Sequence, residues 1–237
     1  MKKYYEKNEL WFAITWIIIY VAVMGNLRNQ FGDASIYTLL GLAVVTGVLM
    51  LFVVKNKLTE KYGFVRVKDS RKFLYFIPIA VLCTLNLWCG ITLHYDFAHQ
   101  IISVIAMGIV GLAEELIFRG LLFRAIEKEN TRRAIIISAV TFGIGHIINL
   151  LTGQASVETI LQVMYAIAFG FAFMMMFYRS GSLIPSIVAH SMIDITSKFS
   201  SQNLSPQAEN LFNYLGSALV IVVAGGYALY LYRLKKE

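Results

Sequence analysis

Apolar runs of about 20 residues recur along the whole chain, and a run of that length without charge is long enough to cross a hydrocarbon layer about 30 Å thick. Inside such a layer the backbone must satisfy its own hydrogen bonds, which leaves helices as the simplest spanning element. With 58% hydrophobic and 15% charged residues, the chain is also too apolar for a soluble domain, where apolar usage is nearer half and charge nearer a quarter. The pattern predicts an all-α fold, a polytopic membrane helix bundle forming one integral domain over residues 1–237.

About eight transmembrane helices are expected, at Leu10–Asn26, Tyr37–Val54, Phe73–Leu93, Gln100–Phe123, Ala134–Leu151, Ile160–Tyr178, Leu183–Thr196 and Tyr214–Tyr232. The seventh is short and carries Pro185, His190 and Asp194. Threading eight spans with both termini cytoplasmic places every lysine and arginine on the cytoplasmic side except Arg28 and Lys198, as positive charge in short loops requires. The net charge of +7 therefore reads as topology and attraction to anionic lipid, and no nucleic-acid partner is called for. The first span reads as a retained anchor rather than a signal peptide. Segment 55–72 reads as a basic lipid-surface anchor, and Cys83 and Cys89 as reduced core thiols. The Met174–Met176 run is expected to face lipid or fill core.

Ionisable side chains at membrane depth cost about 2.5–3.5 kcal/mol each on insertion scales, so each needs a partner, a cavity or a task. The stretch GLAEELIFRGLLF places Glu114, Glu115 and Arg119 in the fourth span; His146 lies in the fifth, and His190 with Asp194 in the seventh. From the helical rise, Glu114, His146 and His190 sit roughly 15, 20 and 12 Å from the cytoplasmic boundary. Glu115 and Arg119 are four apart and can pair on one helix face, leaving Glu114 turned about 100° away. His190 and Asp194 have the same spacing, at which a carboxylate can hold an imidazole in one tautomer. Phe142 precedes His146 by one turn and Asn149 follows it, Asn149 being expected to bond a neighbouring helix. Gly143 and Gly145 are expected to let helices approach closely. His94 and His99 read as interfacial residues.

The three segments EELIFR, FGIGH and HSMID resemble the motifs EExxxR, FxxxH and HxxxN or D of the CPBP family, the CAAX prenyl endopeptidase and bacteriocin-processing group of intramembrane proteases, also called Abi. They occur in the family's order on three spans, within a family-like catalytic core over residues 100–196. The resemblance implies an intramembrane endopeptidase of the glutamic type that cleaves a membrane-associated peptide or protein, lipidated or not, in a cavity opening toward the cytoplasm. A bacterial cell membrane is the implied location. Glu114 would activate water with help from His146. His190 with Asp194 would position that water or stabilise the oxyanion, and Glu115 and Arg119 would be structural, beside Phe142 and Asn149. Asp194 departs from the more frequent Asn, and as a carboxylate is a poorer oxyanion donor.

Amide hydrolysis needs a base for water, a donor to the developing oxyanion and an acid for the leaving amine, and glutamate and histidine in a dry cavity supply the first and last. No cofactor is required on this reading. Zinc is the alternative, because Glu114, His146 and His190 are also a catalytic zinc ligand set, although no HExxH helix is present. A non-catalytic immunity or scaffolding protein with the same fold is the other class that remains. A transporter using these groups as a proton relay should show repeat symmetry, and none is visible in the sequence.

Overall fold

The computed structural model describes residues 1–67, 76–201 and 203–234, with the side chains of residues 151 and 152 also left aside. Among the described residues the regular structure is helical, apart from an isolated bridge between Ile91 and Ser200. The helices are α1 (Lys2–Lys7), α2 (Glu9–Phe31), α3 (Ile36–Lys55), α4 (Ile77–Leu82), α5 (Phe97–Glu115), α6 (Arg124–Glu127), α7 (Thr131–Gly145), α8 (Ser156–Ser180), α9 (Ile184–Ser197) and α10 (Pro206–Arg233). A π-helical segment, Leu116–Phe123, joins α5 to α6, and 3₁₀ turns follow α4 and α7. Polar residues just before the apolar runs fix where the helices start. Asn8, Ser35, Asp96, Asn130 and Ser205 each accept a hydrogen bond from a backbone N–H of the helix that follows, which satisfies a donor that would otherwise lack a partner.

Among the described residues, six helical stretches are long and apolar enough to cross a membrane: Glu9–Phe31, Ile36–Lys55, Phe97–Glu127, Thr131–Leu150, Ser156–Ser180 and Pro206–Arg233. The other two expected spans are short. Of Phe73–Leu93, residues 73–75 lie outside the described residues, and the remainder is α4 with the 3₁₀ turn Leu85–Leu87. The seventh is α9, 14 residues and so about 21 Å long. These two run side by side in the same direction. Cys83 Sγ donates to the Ala189 carbonyl at 3.5 Å, Asn86 Nδ2 to that of Ile193 at 3.0 Å, and Thr92 N to that of Phe199 at 3.0 Å.

Contacts at the two ends of the bundle show which way each element runs. At one end Glu9 pairs with Lys61 and Lys128, both at 2.8 Å. There Leu183 N donates to the Gly63 carbonyl at 2.7 Å, and Arg179 donates to the carbonyls of Leu231 and Leu234. At the other end Asp33 pairs with Arg28 and Lys198, and Gln100 Nε2 donates to the Lys198 carbonyl at 2.9 Å. Short as it is, α9 therefore connects both ends. The first and last helices begin and finish together at the end that carries Lys61, Lys128 and Arg179, called the basic end below.

Two clusters form the core. One joins α2, α3 and α5 through Phe12, Trp16, Leu49, Phe52 and Val110. The other centres on α8, whose Phe173 and Met174–Phe177 pack with Ala224 and Leu231 of α10. The Met174–Met176 run is wholly buried, so it fills core rather than facing lipid. Both cysteines are free; Cys83 is buried and Cys89 half-buried.

Glycine sets how closely the site-bearing helices approach. A Cβ at Gly111 would stand 2.7 Å from Ser191 N on α9, and one at Gly170 2.7 Å from the Ala139 carbonyl on α7. Gly143 is equally close to Ile167, whereas the expectation for Gly145 fails because nothing lies within 4 Å of its Cβ position. Since backbone is the obstacle at Gly111, Gly111→Ala should separate α5 from α9 at about 1–3 kcal/mol. Thermal unfolding in detergent should show that loss for Gly111→Ala and essentially none for Gly145→Ala.

Candidate active site

Glu115 is the last residue of α5, and the π-helical segment that follows is buried at every position from Leu116 to Phe123. π-helical turns are rare and frequently mark functional sites. Arg119 in this segment and Glu115 are both 0% exposed and pair at 2.9 Å. Burying two charges is tolerated only with such pairing. The guanidinium also donates from Nη2 to the Gly170 carbonyl at 3.2 Å and lies 4.2 Å above the Phe142 ring, an arrangement that favours a desolvated cation.

Glu115 does more than face Arg119. Its Oε1 is 3.0 Å from His190 Nδ1, so the carboxylate, and not Asp194 as the spacing suggested, fixes that nitrogen as the proton donor. The His190 ring stacks on Phe173 at 5.4 Å and meets Phe142 edge-on at 5.3 Å. With Nδ1 committed, Nε2 points between Asp194 Oδ2 at 3.5 Å and Glu114 Oε2 at 3.8 Å.

Glu114 Oε1 accepts a hydrogen bond of 2.8 Å from the Tyr20 hydroxyl on α2. Tyr20 is buried, with 6% of its surface exposed, and lies in none of the three motifs. Its signal in the sequence is a phenol hydroxyl in mid-span, away from the interfaces where tyrosine usually sits. His146 caps α7, with Nδ1 3.3 Å from the Phe142 carbonyl and its ring edge-on to Phe142 at 5.4 Å. Phe142 therefore touches Arg119, His146 and His190 at once. Asn149 Nδ2 donates to Gln162 Oε1 on α8 at 2.8 Å, a bond between elements of the kind its position suggested.

These groups line a cavity of about 540 Å³ whose wall includes Tyr20, Glu114, His146, His190 and Asp194. A second cavity of about 270 Å³ lies beyond Phe142, His146 and His190, with apolar walls from Leu82, Phe169 and Phe212. The larger one reaches Arg28, Asp33 and Lys198, at the end of the bundle opposite the basic end. Arg28 Nε and Lys198 Nζ approach the two Asp33 oxygens at 3.0 and 2.8 Å. Burial pushes the Asp33 carboxyl up, but these two cations outweigh it and hold it below its ordinary range. A basic end in the cytoplasm and a cavity opening to the cytoplasm were both expected; the cavity reaches the end opposite the basic one.

The comparison with known families agrees with the motifs. Residues 96–196 match the family model Type II CAAX prenyl endopeptidase Rce1-like. All three motifs fall within this Rce1-like segment, as do Glu114, His146, His190 and Asp194; Tyr20, Arg28 and Asp33 lie before it, and Lys198 just beyond it. The family is one of membrane proteases, in keeping with the CPBP resemblance. No curated protein matches the sequence.

Among the described residues, no three histidine, cysteine, aspartate or glutamate side chains are grouped so as to hold a metal ion. Glu114, His146 and His190 share the wall of the larger cavity. Phe142 carries the contacts that align both imidazoles, so Phe142→Ala should lower the stability of detergent-purified protein by about 3–5 kcal/mol. Phe97→Ala, at a ring 77% exposed, should leave the unfolding midpoint nearly unchanged in the same assay.

Proposed function

We propose that the chain hydrolyses a peptide bond of a membrane-associated peptide or protein, with Glu114 as the base that activates water. The observation that carries this is the contrast between two adjacent glutamates. Glu115 is consumed by Arg119 and His190, whereas Glu114 borders the cavity with Oε1 held by Tyr20 and Oε2 3.8 Å from His190 Nε2. Two groups at that separation can both hydrogen-bond one water placed off the line between them.

In this reading water oxygen attacks the carbonyl carbon as Glu114 takes one of its protons. The tetrahedral intermediate then collapses, the C–N bond breaks, and the amine leaves with a proton passed back through Glu114 or His146. His190, locked by Glu115 through Nδ1, orients the water. Asp194 accepts hydrogen bonds as a carboxylate and the one Tyr20 hydroxyl proton is given to Glu114, so donation to the oxyanion falls to a protonated imidazole. No metal enters the scheme, and chelation should leave turnover unchanged.

Peptides from membranes of cells expressing the native chain, Glu114→Gln or Tyr20→Phe at matched levels should be compared by mass spectrometry. New peptide termini are expected with the native chain and about 10²–10⁴-fold less with Glu114→Gln, the range for loss of a general base. Tyr20→Phe should be slowed about 10-fold or more, as removal of a hydrogen bond to a charged group implies. Identical peptide profiles for the native chain and Glu114→Gln would favour a non-catalytic immunity or scaffolding role.

A further inference from the structure

Outside the buried Arg119, every described lysine and arginine lies at the basic end except Arg28 and Lys198. Both exceptions stand at the rim of the larger cavity and share Asp33. Basic residues in short loops are retained on the cytoplasmic side of a membrane, which fixes the basic end as cytoplasmic. The pairing with Asp33 partly neutralises the two cations at the other end, where unpaired positive charge would oppose that orientation.

None of the residues lining the larger cavity belongs to the loops of the basic end; its rim is Gly32, Asp33, Gln154 and Lys198. The smaller cavity points the same way, since its wall includes Phe212 and Asn213 from the first turns of α10, a helix that starts at this opposite end. At the basic end the core closes over the site, with Phe123, Phe177 and Leu183 all fully buried.

We infer that the site is reached from the non-cytoplasmic side of the membrane, so that its substrate is a peptide segment presented at the outer surface or in the outer leaflet. The inference rests on the peptidase reading only for the word substrate; the side of access is a property of the cavity itself.

Single cysteines introduced into a Cys83→Ala, Cys89→Ser background test it in spheroplasts, using a membrane-impermeant sulfonated maleimide. Gln154→Cys and Asn203→Cys report the rim end and Lys128→Cys the basic end, while Ser197→Cys on the cavity wall is probed with the smaller sulfonatoethyl methanethiosulfonate. The rim and wall thiols should react in intact spheroplasts with no gain on adding detergent, and Lys128→Cys only after detergent. Reaction of Lys128→Cys in intact spheroplasts would overturn the inference, as would rim or wall thiols that react only after detergent. Asn203→Cys gives an independent reading should Gln154→Cys accumulate poorly. Because labelling needs no turnover, the same result is expected in a Glu114→Gln background. Failure of the peptidase reading would thus show in the peptide profiles alone.

Discussion

The site depends on one buried ion pair. Glu115 and Arg119, both without solvent exposure, could not remain charged in this core without each other, and their pairing brings four elements together. Arg119 reaches α8 through the Gly170 carbonyl and α7 through the Phe142 ring, while Glu115 reaches α9 through His190. Arg119 Nε has no hydrogen-bond partner among the described residues, so charge and ring contact, more than a complete hydrogen-bond set, hold the guanidinium. A pair bound on so many sides cannot swing into the cavity, which leaves Glu114 as the neighbouring carboxylate available for chemistry.

Packing carries this arrangement outward. The close approaches at Gly111 and Gly170 set the distances from α5 to α9 and from α7 to α8, and hence the placement of His190 and His146 relative to Glu114. Membrane helices gain no hydrophobic drive from meeting one another within lipid, so small residues at the crossings and polar contacts between helices supply the association. Tyr20 and the Arg28–Asp33–Lys198 cluster extend the same logic to α2, which tethers the acid at one level and borders the rim at another.

Much of this was legible in the sequence because the bilayer penalises charge. Eight apolar runs and a handful of buried ionisable residues identified the bundle and the residues that meet in the cavity. What spacing along one helix could not reveal was contact between helices. The i,i+4 distance tied His190 to Asp194, but α9 turns Nδ1 toward Glu115 on α5. The signal of Tyr20, a phenol in mid-span, is weak because an isolated tyrosine in an apolar span has no periodicity. The end of the bundle that the cavity reaches was equally hidden, because depth counted along a helix locates a residue without saying where the space beside it leads. Gly145, unlike Gly143, meets no neighbour for the same reason.

A double-mutant cycle on Glu115→Leu and Arg119→Met, read by unfolding in detergent, tests most directly whether the pair holds the site together. Each single change strands a buried charge and should cost about 3–5 kcal/mol. The double variant, which removes both charges, should lose far less than the sum of the singles. Additive losses in the double variant would show that the two residues act independently and that the site is organised by something other than their pairing.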